Sequence, residues 1–216
     1  MHIIWYGLSC FKFISRDVTI FTDPFSKAAG PTPPRGAAQI VLSSSPDQEL
    51  YNNFSGFTGD PFIIDSPGEY DVKGVFFRGI PATPGKEAGR TSGLDRRALY
   101  TIVTEGLQVG FLGAYPEKML TEEQLEELEG VDILIIPVGG QTTLGAEASV
   151  KIVNQIEPKI VIPMHYKIPG FSGKLEPIDR FIKELGGKGE ELDKLLVKKG
   201  EWEEEKTRLV ILSPAR

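Results

Sequence analysis

The stretch Ile40-Val41-Leu42-Ser43-Ser44-Ser45-Pro46-Asp47-Gln48-Glu49 decides how this chain is read, because an apolar run stops abruptly at hydroxyls, a proline and acids. Two β-branched residues and a leucine predict a buried strand over Ile40 to Ser43, and the polar tail predicts a loop at its end. Outward from there, short apolar runs punctuated by Gly and Pro predict strands at Ile3 to Tyr6, Cys10 to Ile14, Val18 to Thr22, Phe62 to Ile64 and Tyr70 to Phe77. A Pro/Gly-rich connection from Ser26 to Gly36 separates the third of these from Ile40. Further strands are expected at Ala98 to Thr104, Gln108 to Leu112, Ile133 to Ile136, Ile160 to Pro163, Leu195 to Lys198 and Leu209 to Leu212. Such a number suits two packed sheets.

Helices come later. Thr121-Glu122-Glu123-Gln124 places a capping hydroxyl three residues before Gln124 and acid in the first turn, so a helix starts there and ends near Gly130. A second is predicted from Ala146 to Ile156, with Pro158 forbidding continuation. A third carries Ile178, Phe181, Ile182 and Leu185 on one face and stops at Gly186-Gly187. One-sided apolar stripes describe helices lying on a sheet, hence a layered α/β arrangement. No repeat or boundary divides the chain, so residues 1–216 are expected to form one domain, with Ala82 to Arg97 as a long loop and the charge run Glu201 to Lys206 as a solvated hairpin tip.

Composition excludes several partners. Among 216 residues, 30 acids outnumber 24 Lys and Arg, and no basic stripe is interleaved with aromatics, which argues against nucleic acid and anionic membrane surfaces. No apolar run spans a bilayer, and Met1-His2-Ile3-Ile4-Trp5 lacks the organisation of a signal peptide, so a cytoplasmic location is expected. The only cysteine, Cys10, has no partner for an internal disulfide and reads as a buried, inert thiol in a reducing compartment.

Three more stretches bear on function: Thr22-Asp23-Pro24-Phe25, Pro67-Gly68-Glu69-Tyr70-Asp71-Val72 with Gly79-Ile80-Pro81 behind it, and Ile135-Ile136-Pro137-Val138-Gly139-Gly140. Framed by Trp5 to Phe11 at one end and Ile162-Pro163-Met164-His165-Tyr166 at the other, their order and spacing resemble the metallo-β-lactamase fold. The resemblance is to the small bacterial branch of metal-dependent hydrolases that also contains sugar-phosphate lactonases. It implies a four-layer αββα sandwich whose loop Thr-His-x-His-x-Asp-His holds two zinc, iron or manganese ions.

This chain departs from that pattern. Ser43 stands at the threonine position, and Ser44, Pro46, Gln48 and Glu49 stand at the ligand positions. Ser44 has too high a pKa to ligate readily, Pro46 has no side-chain donor and the Gln48 amide is neutral, which leaves Glu49. Where the family has Gly-Asp, whose carboxylate bridges both metals, the chain has Gly113-Ala114. A further family histidine is replaced by the neighbourhood of Thr83 and Pro84, and only His2 and His165 exist in the chain. His165 falls at the family's last ligand position. Two cations about 3.5–4 Å apart need anionic bridges and several donors.

The expected protein is therefore a pseudoenzyme without the family's zinc, binding an unknown small molecule or protein in a pocket of Ser44, Asp47, Gln48, Glu49, Asp65, Glu69, Ala114 and His165. Glu49 and His165 are expected to hydrogen-bond or ion-pair across that pocket; the alternative is a mononuclear metal site of the same two residues with Asp47 or Asp65. Glu69 reads as a scaffold residue, with general acid or base chemistry as its catalytic alternative. Ser43 to Ser45, His165 and Glu49 or Asp47 match a triad by residue type alone. Gly139 to Thr143, with Lys86, Arg90, Arg96 and Arg97, could grip an anion, against the plainer reading of a basic loop and an ordinary helix entry. The competing function is hydrolysis of a phosphodiester, lactone or thioester, by a reassembled metal site or without metal.

Overall fold

The computed structural model describes residues 1–83, 96–201 and 206–215. The first half supplies β1 (His2–Gly7), β2 (Cys10–Ser15), β3 (Val18–Thr22), β4 (Gly36–Ala37), β5 (Ile40–Leu42), β6 (Phe57–Thr58), β7 (Phe62–Ile64), β8 (Gly68–Val72) and β9 (Val75–Pro81). The second supplies β10 (Ala98–Thr104), β11 (Leu107–Phe111), α1 (Glu122–Glu127), β12 (Ile133–Pro137), α2 (Ala146–Ile156), β13 (Ile160–Met164), α3 (Asp179–Leu185), β14 (Glu190–Leu192), β15 (Leu195–Leu196) and β16 (Arg208–Leu212). One sheet has the order β15-β1-β2-β3-β5-β7 and the other β14-β16-β13-β12-β11-β10-β9-β8; β4 and β6 form a small parallel pair.

Strand alternation divides the side chains between two cores. Ile3, Trp5, Phe11, Phe13, Ile20, Ile40 and Leu42 face the larger sheet and join its inner residues in one buried cluster. Phe21, Val41 and Cys10 face the other way and pack with Phe25, Ala29, Ala38 and Phe57. Among the described residues, that outer face is covered by loops and the 3₁₀ turns Lys27–Ala29 and Phe54–Gly56, while α2 packs on β12 and α3. The mixed α/β architecture expected from the sequence is present. No helix among the described residues is long and apolar enough to cross a membrane.

Two expectations need correction. Tyr70 to Phe77 is a hairpin, because Lys73 and Gly74 both take positive φ (54° and 75°) and form the two-residue turn that matches strand twist. The first helix is shorter than predicted, ending at Glu127 with Leu128 as its cap, although its capping box forms as expected. Helix α2 matches its predicted span, with Glu157 in the left-handed region before Pro158. Most of the charge run, residues 202–205, lies outside the described residues, as do Pro84, Lys86 and Arg90 of the long loop.

Candidate functional site

Hydrogen bonds join the ends of β3, β5 and β11. Asp23, immediately after β3, is fully buried and accepts from the Ser44 amide (2.6 Å, Oδ1) and from the Ser44 hydroxyl (2.7 Å, Oδ2). Ser44 Oγ in turn accepts from the Ala114 amide at 3.0 Å. The hydroxyl at the family's first ligand position thus spends its proton on Asp23 and a lone pair on the backbone where the bridging carboxylate would stand. Burial pushes the Asp23 carboxyl up to about 7, against the lowering effect of the Ser44 amide and of the Ser44 and Ser9 hydroxyls.

The loop after Ser44 folds back on itself. Gln48 N donates to Ser45 O (3.1 Å) and Tyr51 N to Gln48 O (3.0 Å), while Asn52 Nδ2 donates to Pro46 O (2.7 Å). Two successive turns put Asp47, Gln48 and Glu49 at the surface and Tyr51 inside, 1 % exposed. Its hydroxyl lies 2.9 Å from His165 Nε2.

His165 follows β13, is 2 % exposed and is anchored by its amide donating to Leu8 O at 3.0 Å. Thr143 Oγ1 donates to Gly140 O (3.2 Å), so its remaining capacity faces His165 Nδ1 as an acceptor, at a long 3.5 Å. That network assigns the proton to Nδ1 and leaves the Nε2 lone pair to accept from Tyr51. Desolvation brings the imidazole down to about 4, so it is neutral at pH 7. Burial, and then the charge of Asp23, push the Tyr51 phenol up, so Tyr51 keeps the proton it donates.

The expected pairing of Glu49 with His165 is therefore corrected: Tyr51 holds His165, and Glu49 is carried outward by the turns. Asp47 and Asp65 are brought together by Arg96, whose Nη2 pairs with Asp47 and whose Nη1 donates to Asp65 Oδ2 at 2.8 Å. Those carboxylates clamp the loop to the end of β7. Glu69 sits opposite Arg78 across the β8–β9 pair at 3.4 Å, and Arg78 continues to Glu127 at 2.8 Å, a surface link from hairpin to α1. Among the described residues, no serine is placed on His165. Ser44 is committed to Asp23, and the Ser43 and Ser45 hydroxyls are buried without a hydrogen-bond partner.

These residues do not fit a dinuclear metal centre. Among the described residues no group of three or more His, Cys, Asp or Glu side chains converges. The carboxylates of the former loop face solvent or Arg96, and the one imidazole has its lone pair engaged. Sequence reasoning did not single out Tyr51 or Asp23 as site residues. Their signals were an aromatic inside a polar loop and an Asp-Pro step at a strand end.

Residues 2–165 match the family model described as a beta-lactamase superfamily domain. A UPF0173 protein of Pyrococcus furiosus is 42% identical over 86% of this chain and 90% of its own length, and one of Pyrococcus abyssi is 27% identical over 85% and 91%. A UPF0173 metal-dependent hydrolase of Natranaerobius thermophilus is 48% identical over 51% of this chain and 47% of its own. Among solved structures, a Thermotoga maritima protein provisionally described as a Zn-dependent hydrolase of the metallo-β-lactamase superfamily superposes with a TM-score of 0.77 at 28% identity, covering 98% of both chains.

Proposed function

The chain belongs to the β-lactamase superfamily, within the metal-dependent hydrolases of the metallo-β-lactamase fold, and on that footing we propose that it is a binding protein in which hydrogen-bonded side chains have replaced the two-metal centre. The observation that carries this reading is the Tyr51 hydroxyl on His165 Nε2, inside a core that leaves the imidazole neutral. A histidine must offer a lone pair to ligate a metal or take a proton, and here both uses require Tyr51 to leave.

The ligand proposed is a small molecule rather than a protein. A cleft of about 930 Å³ opens beside Thr143, the residue that faces His165 Nδ1, and is bordered by Met119, Gln141, Leu144, Ile152 and Glu176. Its apolar residues Met119, Leu144 and Ile152 alternate with charged ones such as Lys118, Lys151 and Glu176, a lining that suits a small organic ligand carrying polar groups. The lone buried thiol of Cys10 suits a reducing compartment and supports the reading that the protein works in the cytosol.

Hydrolysis is the second reading, favoured by the descriptions of several relatives as metal-dependent hydrolases. Turnover of phosphodiester, lactone and thioester substrates with added Zn²⁺ or Mn²⁺ separates the two. A binding protein gives no metal-stimulated turnover. Stimulated turnover that disappears in His165→Ala establishes the hydrolase instead.

A further inference from the structure

We propose that a cleft between the loop at 26–35 and the 3₁₀ turn Phe54–Gly56 binds a phosphate-sized dianion through Arg35 and Lys27. Its volume of about 500 Å³ is that of a small-molecule site. Ser26, Lys27, Pro33, Arg35, Asn53, Ser55 and Gly56 line it, and none is acidic. In a chain of net charge −6, a concavity furnished with cations and neutral donors alone is the reverse of the average surface.

The donors are free to act. Lys27 and Arg35 make no ion pair among the described residues, so their charge is not already neutralised. Ser26 Oγ accepts from the Ala28 amide at 3.3 Å and keeps its own proton for a ligand. Asn53 is spoken for: its Nδ2 donates to Phe25 O (3.0 Å) and its Oδ1 accepts from Ser55 (3.0 Å), which fixes the wall. A planar guanidinium fork, an ammonium and a hydroxyl lining one cleft match a phosphoryl group, which presents several acceptor oxygens and two charges.

The cleft is also held in shape. Parallel pairing of Gly36 with Phe57 and Ala37 with Thr58 sets Arg35 beside Gly56. A Cβ at position 56 would lie 2.9 Å from Pro34 O, so glycine is what lets the two segments approach. The other end of the loop is tied to Ser172, whose amide donates to Ala29 O at 3.1 Å and whose hydroxyl donates to Ala28 O at 3.2 Å. None of these groups belongs to the His165 network, so the site stands whether or not the chain hydrolyses anything.

Calorimetric titration with inorganic phosphate, pyrophosphate and glucose 6-phosphate, at ionic strength fixed with sodium chloride, tests this. Saturable binding at one site per chain is expected for at least one probe, weakened about tenfold or more in Arg35→Ala and again in Lys27→Ala, with Lys183→Ala on α3 unchanged. Preference for glucose 6-phosphate assigns an organic monoester, and preference for phosphate or pyrophosphate assigns a free oxyanion; either upholds the site. Absence of saturable binding, indifference to Arg35→Ala, or equal weakening by Lys183→Ala overturns it.

Discussion

The ends of β5 and β13 contrast two ways in which side chains at the family's ligand positions are engaged. At β5 the residue types themselves have changed: Ser44, Pro46 and Gln48 stand where ligands are expected, and Ser44 is bound into Asp23 and the Ala114 backbone. At β13 the histidine is kept, yet Tyr51 occupies its Nε2 and burial keeps it neutral. A donor atom counts only if its neighbours leave the lone pair free. Reading residue types identifies the first arrangement and is blind to the second.

Tyr51 is where the contrast breaks most visibly. Tyr51→Ala empties a fully buried aromatic site and is expected to cost about 3–5 kcal/mol in urea unfolding. Tyr51→Phe retains the ring, removes only the donor to His165 and is expected to cost about 1–2 kcal/mol. Equal losses from the two variants would mean that the hydroxyl–imidazole bond, rather than packing, dominates at this position.

The two strand ends also carry opposite pH dependences. His165 is lowered from the usual 6.5 to about 4, so the unfolded chain binds the extra proton and the stability from its neutral form is lost as pH falls from 6.5 towards 4. Asp23 is raised from 3.8 to about 7, so its contribution is present at low pH and is lost as pH rises through that interval. Between pH 4 and 6.5 the effects oppose. Asp23→Asn removes one of them, and its melting temperature should fall more steeply than that of the parent on acidification, by up to roughly 3 kcal/mol of stability. Matching slopes in both proteins would show that Asp23 does not titrate as a buried carboxyl.

The smallest effect is expected at the mouth. Arg96→Ala breaks the link between Asp47 and Asp65, but all three groups are more than a third exposed, so screening limits the loss to under about 1 kcal/mol. Chemical denaturation of this variant sharpens the contrast between surface clamp and buried network; a loss comparable to that of Tyr51→Ala would reverse it.

Much of the fold was legible in the sequence because strand and helix periods repeat over several residues. The capping box of α1 and the stop of α2 before Pro158 were read from local chemistry alone. The hairpin inside Tyr70 to Phe77 was hidden because Lys73 carries no conventional turn signal, although Gly74 does. At the site, ligand replacement could be read position by position, whereas the outward course of Glu49 and the inward course of Tyr51 follow from two tight turns of backbone. Side-chain direction in an irregular loop has no sequence period. The cleft at Arg35 and Lys27 escaped notice for the same reason, since the pairing of β4 with β6 sets Arg35 beside Gly56 on the cleft that Lys27 also lines.

Metal stoichiometry bears most directly on the proposed replacement of the two-metal centre. Protein purified without chelator, equilibrated with excess Zn²⁺ or Mn²⁺ and then passed through a desalting column should retain well under one ion per chain by mass spectrometry, in the parent and in His165→Ala alike. Retention of two ions per chain, lost when His165 is replaced, would contradict it.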